Sequence, residues 1–199
     1  LLILVALQGG LGALTVLKLL PSAVVTAHLV LGLTLVAFMS ALSQRLLSIN
    51  ELKSPIWWRF MSGTALLALI AQCLIGGLMA STWSAKRCLD YGYPCQLVEW
   101  HRFLGFFVGF LLLLFVIISL LSEGWTRTQW PSLMGISVLL IMQISLGIIS
   151  INAELSQPLL TISHQLIATL LVAILSALSL RGPNGPPPNC FPIPQPSLI

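Results

Sequence analysis

Six apolar runs, each close to the length of a bilayer crossing, leave this chain few folds to adopt. A crossing takes roughly 20 predominantly apolar residues, and residues 1–17, 22–43, 61–80, 99–121, 132–152 and 160–180 reach or approach that length. In hydrocarbon every backbone N–H and C=O must be satisfied inside its own segment, which predicts helices throughout. Only 7% of the residues are charged, where a soluble domain carries about a quarter. The expected fold class is all-α: an integral membrane helical bundle of six transmembrane helices, with lipid as its solvent and connectors too short for a soluble domain. The chain opens on "LLILVALQ", without the charged flank and cleavage site of a signal peptide. That start reads as a helix entered partway. From Arg181 onward, "RGPNGPPPNCFPIPQPSLI" is too rich in proline and glycine to bury a core, so residues 181–199 are expected to be an extended or disordered tail.

Polar residues recur inside these runs. Gln8 and Gln143 each have a glycine four residues on, at Gly12 and Gly147. Each unit then breaks at a proline, Pro21 or Pro158, and ends in a histidine a few residues into the next run, His28 or His164. Such a repeat in a hydrophobic chain points to a site built twice. Gln72, with Gly76, has the same spacing. Interhelical hydrogen bonding, with glycine allowing close approach, is the preferred role of the three glutamines over contact with a cofactor edge.

Alternating connectors put Arg45, Lys53, Arg59, Arg127 and Arg181 on one side and Lys18, Lys86, Arg87 and Arg102 on the other. The positive-inside rule makes the first side cytoplasmic, by a narrow margin. The loop "KRCLDYGYPCQ" on the opposite side carries Cys88 and Cys95, with Gly92 and Pro94 to turn the chain. On an oxidising side the pair could close a small disulfide ring, a reading preferred to two unrelated thiols. Cys73 reads as apolar filler, and Cys190 has no evident partner. The six tryptophans, Trp57, Trp58, Trp83, Trp100, Trp125 and Trp130, gather at span ends as an interfacial belt.

The only histidines, His28, His101 and His164, lie near the outer ends of alternate spans. Ionisable side chains at membrane depth are expensive and usually functional. Four residues after each, on the same helix face, stand Gly32, Gly105 and Ala168. A small residue there leaves a flat recess beside the imidazole, the shape a porphyrin needs when its iron takes the ring nitrogen axially. Small residues alone could serve helix packing, but that does not explain their shared register with histidine. A zinc site would want three or four clustered ligands, and no carboxylate or thiol is placed to complete one. His101 and His164 belong to the last four spans, expected to form a heme-binding four-helix bundle, and are the candidate axial ligands of one heme. His28 lacks a partner histidine. Arg102 either pairs with a heme propionate or snorkels to the headgroups. Glu99 suits a helix N-terminus better than catalysis. No phosphate loop, nucleophile–base pair or nucleic-acid-binding pattern is present.

"QGGLGALTVL", "TAHL" and "VEWHRFLGF", with the paired cysteines before the last, resemble the heme A synthase family of bacterial type, over residues 1 to about 180. That resemblance implies eight spans in two four-helix halves, of which this chain looks like the third to eighth. Residues 1–47 would then be the last two helices of a substrate-side half. Residues 48–60 would be a cytoplasmic connector, and residues 61–180 the second half, which binds heme b. His101 and His164 match the ligand pair of heme b, His28 a histidine of the substrate half, and Cys88 and Cys95 the loop disulfide. The family's catalytic glutamate and its nearby histidine would lie upstream of Leu1, and Glu99, in the other half, does not inherit that role. The implied activity is that of an oxidoreductase converting a methyl group of heme O to a formyl group, giving heme A for terminal oxidase assembly. Heme O synthase is a possible partner, and the location is the bacterial cell membrane with histidine ends and cysteine loop outward. Two other classes fit the residues: a membrane b-type cytochrome exchanging electrons with quinone, and a histidine-dependent transporter without heme.

Overall fold

The computed structural model describes residues 1–47, 53–92, 95–122 and 124–183. The described residues form seven α-helices and one 3-10 turn: α1 (Leu2–Leu17), α2 (Ser22–Leu47), α3 (Ile56–Ser81), α4 (Ser84–Tyr91), α5 (Gln96–Leu121), the turn Gly124–Gln129, α6 (Trp130–Asn152) and α7 (Pro158–Leu180). Five helices are long and apolar enough to cross a membrane, and α1 is an apolar helix of 16 residues. The six expected spans are thus the six apolar helices. The short α4 was not anticipated, because its polar sequence carries no crossing signal. Tail residues 184–199, with Cys190, and connector residues 48–52 lie outside the described residues.

Helices α3, α5, α6 and α7 close a ring in which each packs on the next, so the last four spans form a four-helix bundle. Its core is filled by Leu69, Leu112, Phe115, Leu133, Ile136 and Leu171. Helix α2 lies outside the ring against α7 and α3, and among the described residues α1 packs on α2 alone. Outward faces are apolar, as on the exposed Phe103, Phe106 and Phe110 of α5, whereas small polar residues such as Ser62, Ser119 and Ser176 are buried. Helices in lipid gain little from burying apolar groups against one another and associate through close packing and hydrogen bonds. The interior hydroxyls obey that logic: Ser62 and Ser119 donate to carbonyls four residues back, those of Trp58 and Phe115.

Trp58 departs from the expected belt. Its side chain is fully buried, stacked edge-on to Phe115 with centroids 4.9 Å apart, and its Nε1–H donates to the Leu178 carbonyl at 2.7 Å. Because it lies at the end of a span, position alone could not distinguish an interfacial anchor from a plug between α3, α5 and α7. Nearby, Arg181 donates to Gln129 Oε1 at 2.5 Å, tying the end of α7 to the 3-10 turn.

Two hairpins share one turn. At the end of α1, Leu20 N–H donates to Thr15 O and Leu19 N–H to Val16 O; at the end of α6, Leu155 donates to Ser150 O and Glu154 to Ile151 O. Both are Schellman closures, made with positive φ at Leu19, Leu20, Glu154 and Leu155 where glycine is the usual residue. Each proline then restarts the chain as the returning helix. Helix α4 is stapled to the start of α5 by a disulfide between Cys88 and Cys95, which is the pairing expected.

Candidate functional site

Each of the three histidines is held by one of the three glutamines, across a helical hairpin. Gln8 Nε2 lies 3.4 Å from His28 Nε2 between α1 and α2. Gln72 Nε2 lies 3.3 Å from His101 Nε2 between α3 and α5, and Gln143 Nε2 lies 3.1 Å from His164 Nε2 between α6 and α7. The glycines explain how two helices come close enough. A Cβ on Gly12, Gly76 or Gly147 would stand 3.1, 3.0 or 3.2 Å from the imidazole Cε1 of His28, His101 or His164. In return, a Cβ on Gly32 or Gly105 would stand 3.0 or 3.1 Å from the amide nitrogen of Gln8 or Gln72. Each histidine, and with it Gln8 and Gln72, therefore sits in the notch left by a glycine of the partner helix, whereas Ala168 stands at the corresponding place opposite Gln143.

This corrects one expectation. The small residues one turn after His28 and His101 are not open recesses beside the imidazole, because the glutamine amides occupy them. The imidazole instead rests on the glycine of the opposite helix. Sequence reading recovered both registers, Gln with Gly and His with a small residue, but paired each within its own helix. Their reciprocal fit depends on hairpin geometry, which spacing along one helix does not contain.

The hydrogen bonds also set the tautomers. His164 Nδ1 lies 3.1 Å from the Gln143 carbonyl oxygen, which can only accept, so Nδ1 carries the proton and donates. Nε2 is then the lone-pair nitrogen, accepting from the Gln143 amide. Gln72 Nε2 also donates to the His101 carbonyl at 2.8 Å, which places its NH2 group against the ring and leaves His101 Nε2 as an acceptor. The Nδ1–H of His164, anchored to a backbone carbonyl, gives the tautomer of metal-ligating imidazoles, and in this structure the Nε2 lone pairs of His101 and His164 are taken by the Gln72 and Gln143 amides.

His101 and His164 face one another across the bundle, with ring centroids 6.4 Å apart and planes tilted by 60°. Two metal–imidazole bonds of about 2 Å each, plus the distance from each bonded nitrogen to its ring centre, require centroids roughly 6 Å apart. The centroid separation of the pair matches that spacing, and a metal there would have to take the Nε2 lone pairs from the Gln72 and Gln143 amides. Among the described residues no three His, Cys, Asp or Glu side chains gather as a metal-binding group. The donor set is two imidazoles, which is what a porphyrin iron takes and a structural zinc does not. Buried oxygen atoms of Gln72 and Gln143, and Nδ1 of His101, have no hydrogen-bond partner. These orphaned groups beside the two rings leave polar capacity for a bound group.

His28 stands apart. No second histidine faces it among the described residues, and its Nδ1 and Gln8 Oε1 are buried without partners. It opens on a recess of about 280 Å³ between α1, α2 and α7. Arg102 is exposed beside His101, and Glu99 is exposed in the first turn of α5, where a negative charge favours the helix N-terminus.

A family model described as cytochrome oxidase assembly protein, COX15-CtaA, matches residues 1–178, nearly all of the described chain. No curated protein matches the chain. No solved structure matches it. With a matched length that takes in every apolar helix and all three glutamine–histidine pairs, the chain belongs to the COX15-CtaA family of cytochrome oxidase assembly proteins, the heme A synthase family of membrane oxidoreductases.

Proposed function

We propose that the protein oxidises one methyl group of heme O to a formyl group, by successive hydroxylations in which water supplies the oxygen and four electrons with four protons pass to an external electron acceptor, and so yields heme A for terminal oxidase assembly. The observation that carries this reading is the facing pair His101 and His164, set at axial-ligand separation within a bundle of this family. His101 and His164 would hold heme b, which would supply one-electron transfer there. The protein's own residues do the rest. The Gln143 carbonyl would orient the His164 ring through Nδ1, Gly76 and Gly147 would give both rings flat support, and the Gln72 and Gln143 amides would release Nε2 to the iron. His28, steadied by Gln8, is the ligand on the substrate side, and Arg102 is available to a porphyrin propionate. The cell membrane is the site of action, with the histidine ends and the Cys88–Cys95 loop on the oxidising outer face. Heme O synthase is the natural donor of such a substrate.

Pigments extracted from cells that express the full-length protein and contain heme O should include heme A. A heme b spectrum with no heme A formed would make the protein an electron-carrying b-type cytochrome instead. A purified protein without any heme spectrum would overturn both readings.

A further inference from the structure

The recess beside His28 is not built from the first hairpin alone. Gln8, His28, Leu33 and Val36 line it from α1 and α2, and Gln165 and Thr169 reach it from α7. Helix α7 thus presents His164 to the bundle and the next residue, Gln165, to the recess on its other side.

Two features set Gln165 apart. The Thr169 hydroxyl turns back to the Gln165 carbonyl at 2.9 Å, whereas the Gln165 amide itself makes no hydrogen bond among the described residues. An amide within a membrane-spanning segment that finds no protein partner is costly. The second feature is the relation of α7 to α2. Ser40 on α2 donates to the Ala173 carbonyl on α7, and Ser176 on α7 donates to the Ala37 carbonyl on α2, both at 2.6 Å. The offset that carries Ala37 onto Ala173 and Ser40 onto Ser176 also carries His28 onto His164. The two helices therefore meet as a self-complementary pair, in the manner of a two-fold interface. Under the same offset, Gln165 and Thr169 correspond to Leu29 and Leu33. Leu33 is buried in the core, and Leu29 packs against it. The symmetry is broken from leucine to polar residues on α7, the helix that lines the His28 recess from the other half.

We propose that Gln165 is a ligand-positioning residue of the His28 site, contributed across the boundary between the two halves, and that its amide hydrogen-bonds an oxygen-bearing substituent on the rim of the porphyrin held there. Thr169, one turn further along, forms the adjoining wall. The inference rests on the reading of His28 as a heme ligand. It adds that specificity for the substrate porphyrin is set partly by the helix that carries a ligand of the other heme.

The test is a titration of the full-length protein, purified with its resident heme, using hemin as the probe and following the optical spectrum. The parent protein should take up a further equivalent that His28→Ala abolishes. Gln165→Leu should weaken that uptake by roughly five- to tenfold, the worth of one hydrogen bond, while leaving the resident low-spin spectrum unchanged. If leucine disturbs the resident spectrum, Gln165→Met, closer in length and flexibility, takes its place. Uptake that depends on His28 but is unaltered by either substitution overturns this inference alone. A parent protein that binds heme at neither place overturns the heme reading, and the inference with it.

Discussion

The α1–α2 hairpin and the α6–α7 hairpin share a turn, a glutamine–histidine pair and a supporting glycine, yet they end in different circumstances. In the second hairpin, His164 looks across a closed bundle at His101. In the first, α1 has no buried residue and among the described residues packs on α2 alone, and His28 looks into an open recess. Both have the glutamine contact and the supporting glycine, while only His164 also anchors Nδ1 to a carbonyl. What differs is whether two further helices close around it. A hairpin can fix the tautomer and direction of an imidazole, but a second ligand for the same iron has to come from another hairpin.

The sharpest way to break this comparison is to remove the ligands. His101→Ala or His164→Ala should abolish the low-spin heme b spectrum of the purified protein, whereas His28→Ala should leave it intact. An unchanged spectrum in both of the first two variants would refute the bis-imidazole assignment. A smaller effect is expected from the supporting glycines. Gly76→Val and Gly147→Val crowd the rings of His101 and His164, an overpacking that costs about 1–3 kcal/mol, and should shift or broaden the heme spectrum. Gly12→Val crowds only His28 and should spare that spectrum. Equal effects of all three would mean that the hairpins are not independent.

The next comparison concerns the staples. The disulfide closes a short loop worth about 2 kcal/mol in the chain-entropy account, and its reduction should loosen α4 without altering the heme spectrum. Cys88 and Cys95 should accept an alkylating reagent only after reduction, and labelling without reductant would count against the bridge. The smallest effect belongs to the α2–α7 contact. Ser40→Ala with Ser176→Ala removes two interhelical hydrogen bonds, each worth about 0.6 kcal/mol in membrane helices. A fall of a few degrees in the detergent melting midpoint is expected, and a value indistinguishable from the parent would show that packing alone holds the two hairpins together.

Much of this arrangement is legible in the order of the residues. The apolar runs became helices within a few residues of their expected ends, because hydrocarbon leaves the backbone no alternative. The three histidines at one depth, and glycines in register with the glutamines, announced a repeated site. The turns at Leu19 and Glu154 were hidden, since each adopts the left-handed conformation without the glycine that usually signals it. Trp58 was misread because an indole at a span end looks the same whether it meets lipid or the Leu178 carbonyl.

By itself the sequence determined that the chain is helical, lipid-embedded and furnished with a glutamine–histidine unit built twice, with a third glutamine–glycine spacing at Gln72, since these follow from composition and from periodicity along the chain. Only the tertiary structure decided which glutamine holds which histidine, that His101 and His164 face each other while His28 does not, and that Gln165 belongs to the recess of the other half. Those facts depend on the rotation and register of one helix against another. In lipid these are set by close glycine contacts and a few hydrogen bonds between distant residues, and not by any hydrophobic stripe that a single segment could display.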